Sequence, residues 1–337
     1  MRKILLLVIG LLSTHITFAQ NPSAKMLGFE AFEFSTEKLG NVNYYLSQDS
    51  SGIQKPLLVY LDGSGSYPLF QVVEGGIAST VVLDFQRLRE DFTILLIGKP
   101  GVPFSDVVDF DAYGFPMYDE PEAYTKYLSL DWRVDTADKI IHDLIQKNTI
   151  DAKRIVVFGF SEGAQVAPKL AAKNKHITHL MLFGGNGLNQ LFDPIISTRM
   201  KAVTGEISQT QAQVEIDSLF NMYQDIYDEP LATDKNWWGH TYQRWASFTL
   251  TDPSQYLLQL DIPIYMANGS LDENSVLSAD YIQLEFIKNK KSNLTYKTYP
   301  NCDHQFNELV IENGVFKQAI PRLDEVLRDA FEWLEMK

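Results

Sequence analysis

The sequence predicts an α/β fold, in which helices cover both faces of a mainly parallel β-sheet. Short runs rich in β-branched and aromatic residues, such as residues 154–158, have the length and composition of strands buried on both faces. Between residues 132 and 147, apolar positions recur with a helical period and fall on one face. Strand patterns that alternate with helical patterns indicate βαβ units, and such units build a parallel sheet.

The predicted elements follow one another through most of the chain. Residues 29–35 and 43–46 alternate in polarity and predict an antiparallel hairpin that turns near Gly40. Buried strands are predicted at residues 57–61, 92–97, 154–158, 179–183, 262–267 and 294–299. Helices are predicted at residues 132–147, 164–172, 278–288 and 323–334.

The alternation of strands and helices stops between about residues 188 and 258. This stretch is first polar, glutamine-rich and helical in pattern, and then aromatic. We therefore expect a helical cap inserted into one α/β body that spans residues 20–337. The cap would contain Trp237, Trp238 and Trp245. These are candidates for the apolar wall of a substrate pocket, and the alternative is that they anchor a small core of the cap itself.

The first residues have the pattern of a secretory signal peptide. Arg2 and Lys3 precede the apolar run at residues 4–12, and Thr17 and Ala19 supply small residues at the positions that a signal peptidase reads. We expect residues 1–19 to be removed and the mature chain to be exported, to a periplasm or to the outside of the cell. The apolar run is shorter than the roughly 18 residues that a membrane span needs, so no stable membrane anchor is expected.

Composition argues against several partners and cofactors. The net charge is −14 at pH 7, and loss of residues 1–19 would remove two positive charges and make it −16. Such a surface repels nucleic acid. Cys302 is the single cysteine, so no disulfide can form within the chain. The six histidines are scattered without the spacing of a zinc site, and we expect neither a metal nor another cofactor.

The sequence Gly159-Phe160-Ser161-Glu162-Gly163 stands between a predicted strand and a predicted helix. A serine placed there projects from the carboxyl edge of the sheet, and the N–H groups that follow point at the same spot. The two glycines suit a turn too tight for a Cβ on either side. This is the nucleophile-elbow pattern in the structural context that the pattern requires.

A serine hydroxyl needs a base to remove its proton and a third group to hold that base. His304 follows the strand predicted at residues 294–299, and Asp272 follows the strand predicted at residues 262–267. Both side chains should therefore reach the same edge of the sheet as Ser161. The acid has alternatives nearby in the sequence, namely Glu273, Asp280 and, as a poorer candidate, Asp303.

The order serine, aspartate, histidine, together with the elbow, resembles the α/β-hydrolase superfamily, in its dienelactone-hydrolase-like and prolyl-oligopeptidase-like branches. The resemblance covers nearly all of residues 29–337. It implies that backbone N–H groups of Glu162 and of Ser64 or Gly63 form an oxyanion hole. In the superfamily the corresponding glycine-rich loop often begins with His-Gly, whereas Asp62 precedes Gly63 here.

These groups together predict acyl transfer to water, and an exported serine hydrolase of carboxylic esters is the first interpretation. A peptidase or amidase of the prolyl-oligopeptidase-like branch is the second, and a thioester substrate is left open. The expected partner is a small-molecule or short-peptide acyl substrate. A third hypothesis, from another class, is a non-catalytic binding protein on the same fold. Lys99, which follows the strand predicted at residues 92–97, is expected to be solvated, and the alternative is contact with a substrate carboxylate.

Overall fold

An eight-stranded sheet forms the centre of the computed structural model, which describes residues 21–48, 52–111, 116–273 and 276–337. The predicted signal segment at residues 1–19 lies outside the described residues. In chain order the strands of this sheet are β1 Phe29–Thr36, β2 Gly40–Ser47, β3 Pro56–Leu61, β4 Thr93–Ile97, β5 Asp151–Phe160, β6 His179–Phe183, β7 Ile264–Gly269 and β8 Leu294–Tyr299.

The strands lie side by side in the order β1-β2-β4-β3-β5-β6-β7-β8. β2 pairs antiparallel with both β1 and β4, and from β4 to β8 every pairing is parallel. The carboxyl ends of β3 and β5 to β8 therefore meet at one edge of the sheet. The predicted α/β class and the mainly parallel sheet are confirmed, and the predicted hairpin at residues 29–46 is present as β1 and β2.

Helices lie between the strands in sequence, and some of them pack on the two faces of the sheet. The helices of eight or more residues are α1 Leu130–Gln146, α2 Gly163–Lys173, α3 Phe192–Val203, α4 Gln209–Asp228, α5 Tyr242–Thr249, α6 Val276–Lys288 and α7 Leu323–Glu335. Shorter helical turns lie at Ala24–Leu27, Phe85–Leu88, Glu122–Tyr127 and Pro253–Leu257. Within the described ranges, no helix is both long enough and apolar enough to cross a membrane.

Both faces of the sheet are buried, as the apolar strand patterns predicted. Leu57 and Val59 of β3 point into a cluster that includes Ile140 of α1 and other residues of α1, α2 and α6. The residues between them in sequence point the opposite way, because side chains alternate along a strand. Leu58 accordingly lies in a second cluster, with Trp333 of α7.

The chain between β6 and β7 contains α3, α4 and α5, which agrees with the helical pattern predicted for residues 188–258. The division into an α/β body and a cap stays a prediction. Several short strands were not predicted. They are Phe70–Val73, Gly76–Ser79 and Ser105–Val107, which form a three-stranded sheet, and the hairpins Asp109–Phe110 with Pro116–Met117, Asn236–Trp237 with His240–Thr241, and Asn307–Glu312 with Val315–Pro321.

Candidate active site

Ser161 stands on the sharp turn between β5 and α2. Its φ is +54°, a left-handed conformation that costs a residue with a Cβ about 1–3 kcal/mol. The turn is held because the N–H of Ser161 donates to the carbonyl of Phe183 at the end of β6, at 2.8 Å. The strained conformation therefore persists through a bond to the neighbouring strand, and it places the hydroxyl at the carboxyl edge of the sheet.

The two glycines of the elbow are sterically required. A Cβ built on Gly163 would lie 1.9 Å from the carbonyl oxygen of Leu61 in β3, and one on Gly159 would lie 2.4 Å from the carbonyl oxygen of Gly163. Both contacts are with backbone, which cannot move aside as a flexible side chain can. Glycine at these positions lets α2 approach the sheet closely enough to form the turn.

His304 and Asp272 meet Ser161 in a row of side chains. Nε2 of His304 lies 3.0 Å from Oγ of Ser161, and Nδ1 of His304 lies 2.8 Å from Oδ2 of Asp272. The carboxylate of Asp272 is fully buried. Asp280 accepts a hydrogen bond from Tyr296 instead, and Asp303 accepts from the N–H groups of the loop that follows it. Of the candidate acids, Asp272 is the one hydrogen-bonded to the imidazole.

The surroundings of His304 shift its pKa. Burial of the ring lowers the pKa of His304, but the charge of Asp272 and its hydrogen bond outweigh burial, so the pKa is raised above its usual value. Gly184, at the end of β6, leaves room for the ring, since a Cβ there would lie 2.9 Å from Cε1 of His304. This function of Gly184 was not predicted from the sequence.

A second carboxyl lies near Asp272. Burial and the charge of Asp272 raise the pKa of Asp193, on α3, to about 8, although a hydrogen bond from Asn186 opposes the shift. The protonated form of Asp193 therefore persists to a higher pH than that of an ordinary carboxyl. Its neutral form places no second negative charge beside the carboxylate that contacts His304.

The glycine-rich loop, residues 62–65, lies beside the serine. A Cβ built on Gly63 would lie 3.4 Å from Cβ of Ser161 and 3.8 Å from its Oγ. Among the described residues, no hydrogen bond uses the N–H of Glu162 or of Ser64 as a donor. Within the same part of the chain, the N–H of Gly63 is not used as a donor either. These groups are thus free to donate to an oxygen that arrives at Ser161, and the oxyanion hole, with Ser64 or Gly63 as the loop's donor, stays a prediction.

Behind the serine lies a group of charged side chains that we call the buried ion-pair chain. It consists of Lys99, Asp62, Arg133, Glu162 and Arg244, each at most 6% exposed. Lys99 lies 2.9 Å from Asp62, and Arg133 lies 2.6 Å from both Asp62 and Glu162. Arg244, on α5, lies 2.5 Å from the other oxygen of Glu162.

Burial and the ion pairs shift the pKa values of side chains in the buried ion-pair chain. Although burial opposes ionisation, Arg244 and Arg133 hold the pKa of Glu162 far below its ordinary value, so this carboxyl is ionised. Burial lowers the pKa of Lys99, although the charge of Asp62 opposes this shift. Three basic side chains thus face two carboxylates behind the elbow. Arg244 connects the predicted cap region to Glu162, the residue that follows the serine.

The buried ion-pair chain was not predicted from the sequence, and the expectation for Lys99 was wrong. Lys99 is neither solvated nor free for a substrate carboxylate, because Asp62 and the glycine-rich loop use its ammonium group. A signal was present for Arg133, since it shares the apolar face of α1 with Ala137 and Ile140. A cation on such a face indicates a buried partner.

The three tryptophans lie together in the predicted cap. Trp245 is buried in a cluster with Tyr223 and Ile226, and its indole N–H donates to the carbonyl of Trp237 at 2.7 Å. Trp238 is 63% exposed and stacks on Trp237. Trp237 and Trp245 thus build the core of the helical segment, which was the alternative interpretation. Their predicted function in a substrate pocket stays a prediction.

Cys302 is buried and free. Burial raises the pKa of its thiol to about 11, so the nucleophilic thiolate is scarce at neutral pH. Its position two residues before His304 gives it no elbow from which to attack. Ser161 is therefore the better candidate nucleophile of the two.

Comparison with solved structures identifies the fold. The chain is similar to the acylaminoacyl peptidase of Pyrococcus horikoshii, with a TM-score of 0.55 and 14% identity over 92% of this chain and 42% of that one. It has the α/β-hydrolase fold. A puromycin-hydrolyzing peptidase of Mycobacterium tuberculosis gives a TM-score of 0.51 and 16% identity, over 82% of this chain and 36% of that one. The chain thus spans less than half the length of each of these two peptidases.

Another similar structure, also with the α/β-hydrolase fold, is matched over nearly the full length of both chains. Est1E from Butyrivibrio proteoclasticus gives a TM-score of 0.51 and 13% identity, over 91% of this chain and 98% of that one. No protein-family model and no curated protein sequence matches the chain. At these identities the likeness establishes the fold, and the activity has to be argued from the site.

Proposed function

We propose that this α/β-hydrolase-fold protein is a serine hydrolase that cleaves carboxylic esters through an acyl-enzyme on Ser161. The observation that carries the proposal is the unbroken row of contacts from Asp272 through His304 to Ser161, at 2.8 and 3.0 Å. A nucleophile, a base and a group that orients the base are the parts that acyl transfer requires. The free N–H groups of Glu162 and Ser64 supply the fourth part.

In the first half of the reaction, Oγ of Ser161 attacks the carbonyl carbon while Nε2 of His304 takes its proton. The carbonyl electron pair moves onto oxygen, and the N–H groups of Glu162 and Ser64 donate to the oxyanion. When the tetrahedral intermediate collapses, the bond to the leaving alcohol breaks and the alcohol oxygen takes the proton from His304. Asp272 holds the imidazole in the required tautomer and stabilises its positive form.

In the second half, water replaces the alcohol. His304 removes a proton from water, whose oxygen attacks the acyl carbon, and the same N–H groups hold the second oxyanion. Collapse releases the carboxylic acid, and the proton on His304 returns to Oγ of Ser161. The protein ends the cycle unchanged, and no group beyond the ester and water is consumed.

The pH dependence of kcat/KM should report the raised pKa of His304. The base works only as neutral imidazole, so activity should fall on acidification, with a midpoint above pH 6.5, the usual histidine value. The measurement is the pH profile of p-nitrophenyl butyrate hydrolysis. Asp272→Asn removes the charge that raises the pKa and should move the midpoint to lower pH. A wild-type midpoint below 6.5 would contradict the assignment of His304 as the base.

A peptidase or amidase is the second candidate, and the similar structures favour testing it. Two of them are peptidases by name, although this chain covers only 42% and 36% of their lengths. The deciding experiment compares kcat/KM for short-chain p-nitrophenyl esters with kcat/KM for acylated and proline-containing peptide amides. Faster turnover of the amides than of the esters would reverse the order of the two candidates.

We also propose that the chain is exported and loses residues 1–19. The support is the order of Arg2 and Lys3, the apolar run and Ala19. Expression of the full sequence in a Gram-negative host should give a periplasmic protein whose first residue is Gln20. Edman sequencing of that fraction is the measurement. A cytoplasmic product that still begins at Met1 would refute export, and Ala19→Arg, which blocks the cleavage position, is the control.

A further inference from the structure

Lys99 contacts three acceptors on one short loop. Its ammonium group lies 2.6 Å from the carbonyl oxygen of Gly63, 2.7 Å from that of Gly65 and 2.9 Å from a carboxylate oxygen of Asp62. An ammonium group has three N–H donors, so every one of them has a partner in the glycine-rich loop. Lys99 is 6% exposed, and these bonds are therefore made without competition from bulk water.

These bonds determine how a peptide group of the loop is turned. In a trans peptide, the C=O of one residue and the N–H of the next point in opposite directions. None of the described peptide bonds is cis. When Lys99 draws the carbonyl of Gly63 towards itself, the N–H of Ser64 must point away from Lys99. Glycines at positions 63 and 65 would otherwise let this loop turn easily, because they restrict the backbone least.

From this contact we infer that Lys99 is the positioning residue of the oxyanion hole, which it serves by fixing the Gly63–Ser64 peptide with the Ser64 N–H on the side of Ser161. The inference rests on the proposed function. It is supported by the position of Gly63, whose Cα hydrogen faces the serine, since a Cβ there would meet Cβ of Ser161 at 3.4 Å. Lys99 itself touches no reacting atom.

Arg133 positions the segment that carries the other oxyanion donor, the N–H of Glu162. Its guanidinium donates to Asp62, the first residue of the glycine-rich loop, and to Glu162, which carries the second N–H donor. It also donates to the carbonyl of Asp62 at 3.0 Å. One rigid planar group therefore connects the two segments that donate to the oxyanion and fixes their separation.

The charge balance makes Lys99 suitable for a test. The buried ion-pair chain holds three basic side chains and two carboxylates, so Lys99→Met leaves two guanidinium groups and two carboxylates. Asp62 keeps its bonds to Arg133. We therefore expect K99M to fold, whereas the loss of Arg133 would remove one partner from each of the two buried carboxylates. Lys173→Met is the control for the loss of a lysine charge, since Lys173 forms ion pairs with Asp135 and Asp138 at the far end of α2, where it is more exposed.

The experiment measures kcat, KM and transition-state affinity. K99M should lower kcat for p-nitrophenyl butyrate about 100-fold, the loss typical of one oxyanion donor, with KM changed less than threefold. Its Ki for a trifluoromethyl ketone, which forms a tetrahedral adduct with a serine, should rise by a similar factor. K173M should stay within twofold of wild type in all three values. If Lys99 only stabilised the fold, K99M would not change kcat and the ketone Ki by similar factors while leaving KM nearly unchanged.

A crystal structure of K99M separates this inference from the proposed function. A turned Gly63–Ser64 peptide supports the inference, and an unchanged peptide with wild-type kcat overturns it. If the wild-type protein neither hydrolyses esters or amides nor reacts with a fluorophosphonate, the proposed function fails, while the peptide orientation still decides whether Lys99 sets the loop. Should K99M not fold, Lys99→Gln, which is also uncharged and has at most two donors, is measured in the same way.

Discussion

Replacement of Ser161 by alanine is expected to lower kcat for ester hydrolysis by roughly a millionfold, because no acyl-enzyme can form without its hydroxyl. His304→Ala should cost about as much. The double variant should lose no more than either single variant, since groups that act as one unit give non-additive losses. The measurements are kcat with p-nitrophenyl butyrate and covalent labelling by a fluorophosphonate probe, which S161A should not show.

The control for this prediction is Ser208→Ala. Ser208 caps α4 through a hydrogen bond to the N–H of Gln211, so its loss removes a serine hydroxyl elsewhere in the fold. Its labelling and kcat should equal those of wild type. Equal labelling of wild type, S161A and heat-denatured protein would instead favour the non-catalytic binding protein, and residual activity of a few per cent in S161A would exclude Ser161 as the nucleophile.

The main features of the candidate site could be predicted because they follow from where strands end. Ser161, Asp272 and His304 each come shortly after an apolar run, and parallel strands bring such positions to one edge of the sheet. The structure places the three side chains in contact there. From the sequence alone, several neighbouring carboxylates were candidates for the acid. The structure shows that one of them, Asp280, accepts a hydrogen bond from Tyr296.

The buried ion-pair chain could not be predicted in the same way. The surroundings of Lys99 come from β4, the glycine-rich loop and α1, which are distant in sequence, and a lone lysine is usually solvated. Arg244 lies within an aromatic stretch, and its pairing with Glu162 is set by how the predicted cap packs on the elbow. Long-range pairs of this kind have no local pattern, so a single sequence does not reveal them.

The same limit applies to the short strands and the tryptophans. Phe70–Val73 and Gly76–Ser79 are four residues each, too short for polarity alternation to distinguish a strand from a loop. The local sequence around Trp237 and Trp245 is the same whether these residues line a pocket or build a core. Their burial against Tyr223 depends on how α4 packs beside the Asn236–Trp237 hairpin.

Gly163→Ala is expected to disrupt the fold more than any single loss of a surface contact. The new Cβ would lie 1.9 Å from the carbonyl oxygen of Leu61 and 2.9 Å from that of Asp62, both of them backbone atoms. To relieve the clash, α2 must move away from β3, which opens the core beneath the elbow and breaks the turn at Ser161. We expect a loss of about 4 kcal/mol or more in the free energy of unfolding, or no soluble folded protein.

The measurement is urea unfolding followed by circular dichroism, with Gly76→Ala as the matched control. A Cβ built on Gly76 meets no atom within 4 Å, and its φ is not in the left-handed region, so G76A should unfold within about 0.5 kcal/mol of wild type. The pair separates the effect of a methyl group as such from the effect of its position. If G163A unfolded at the same urea concentration as G76A, the close approach of α2 to β3 would be wrong, and the geometry of the elbow with it.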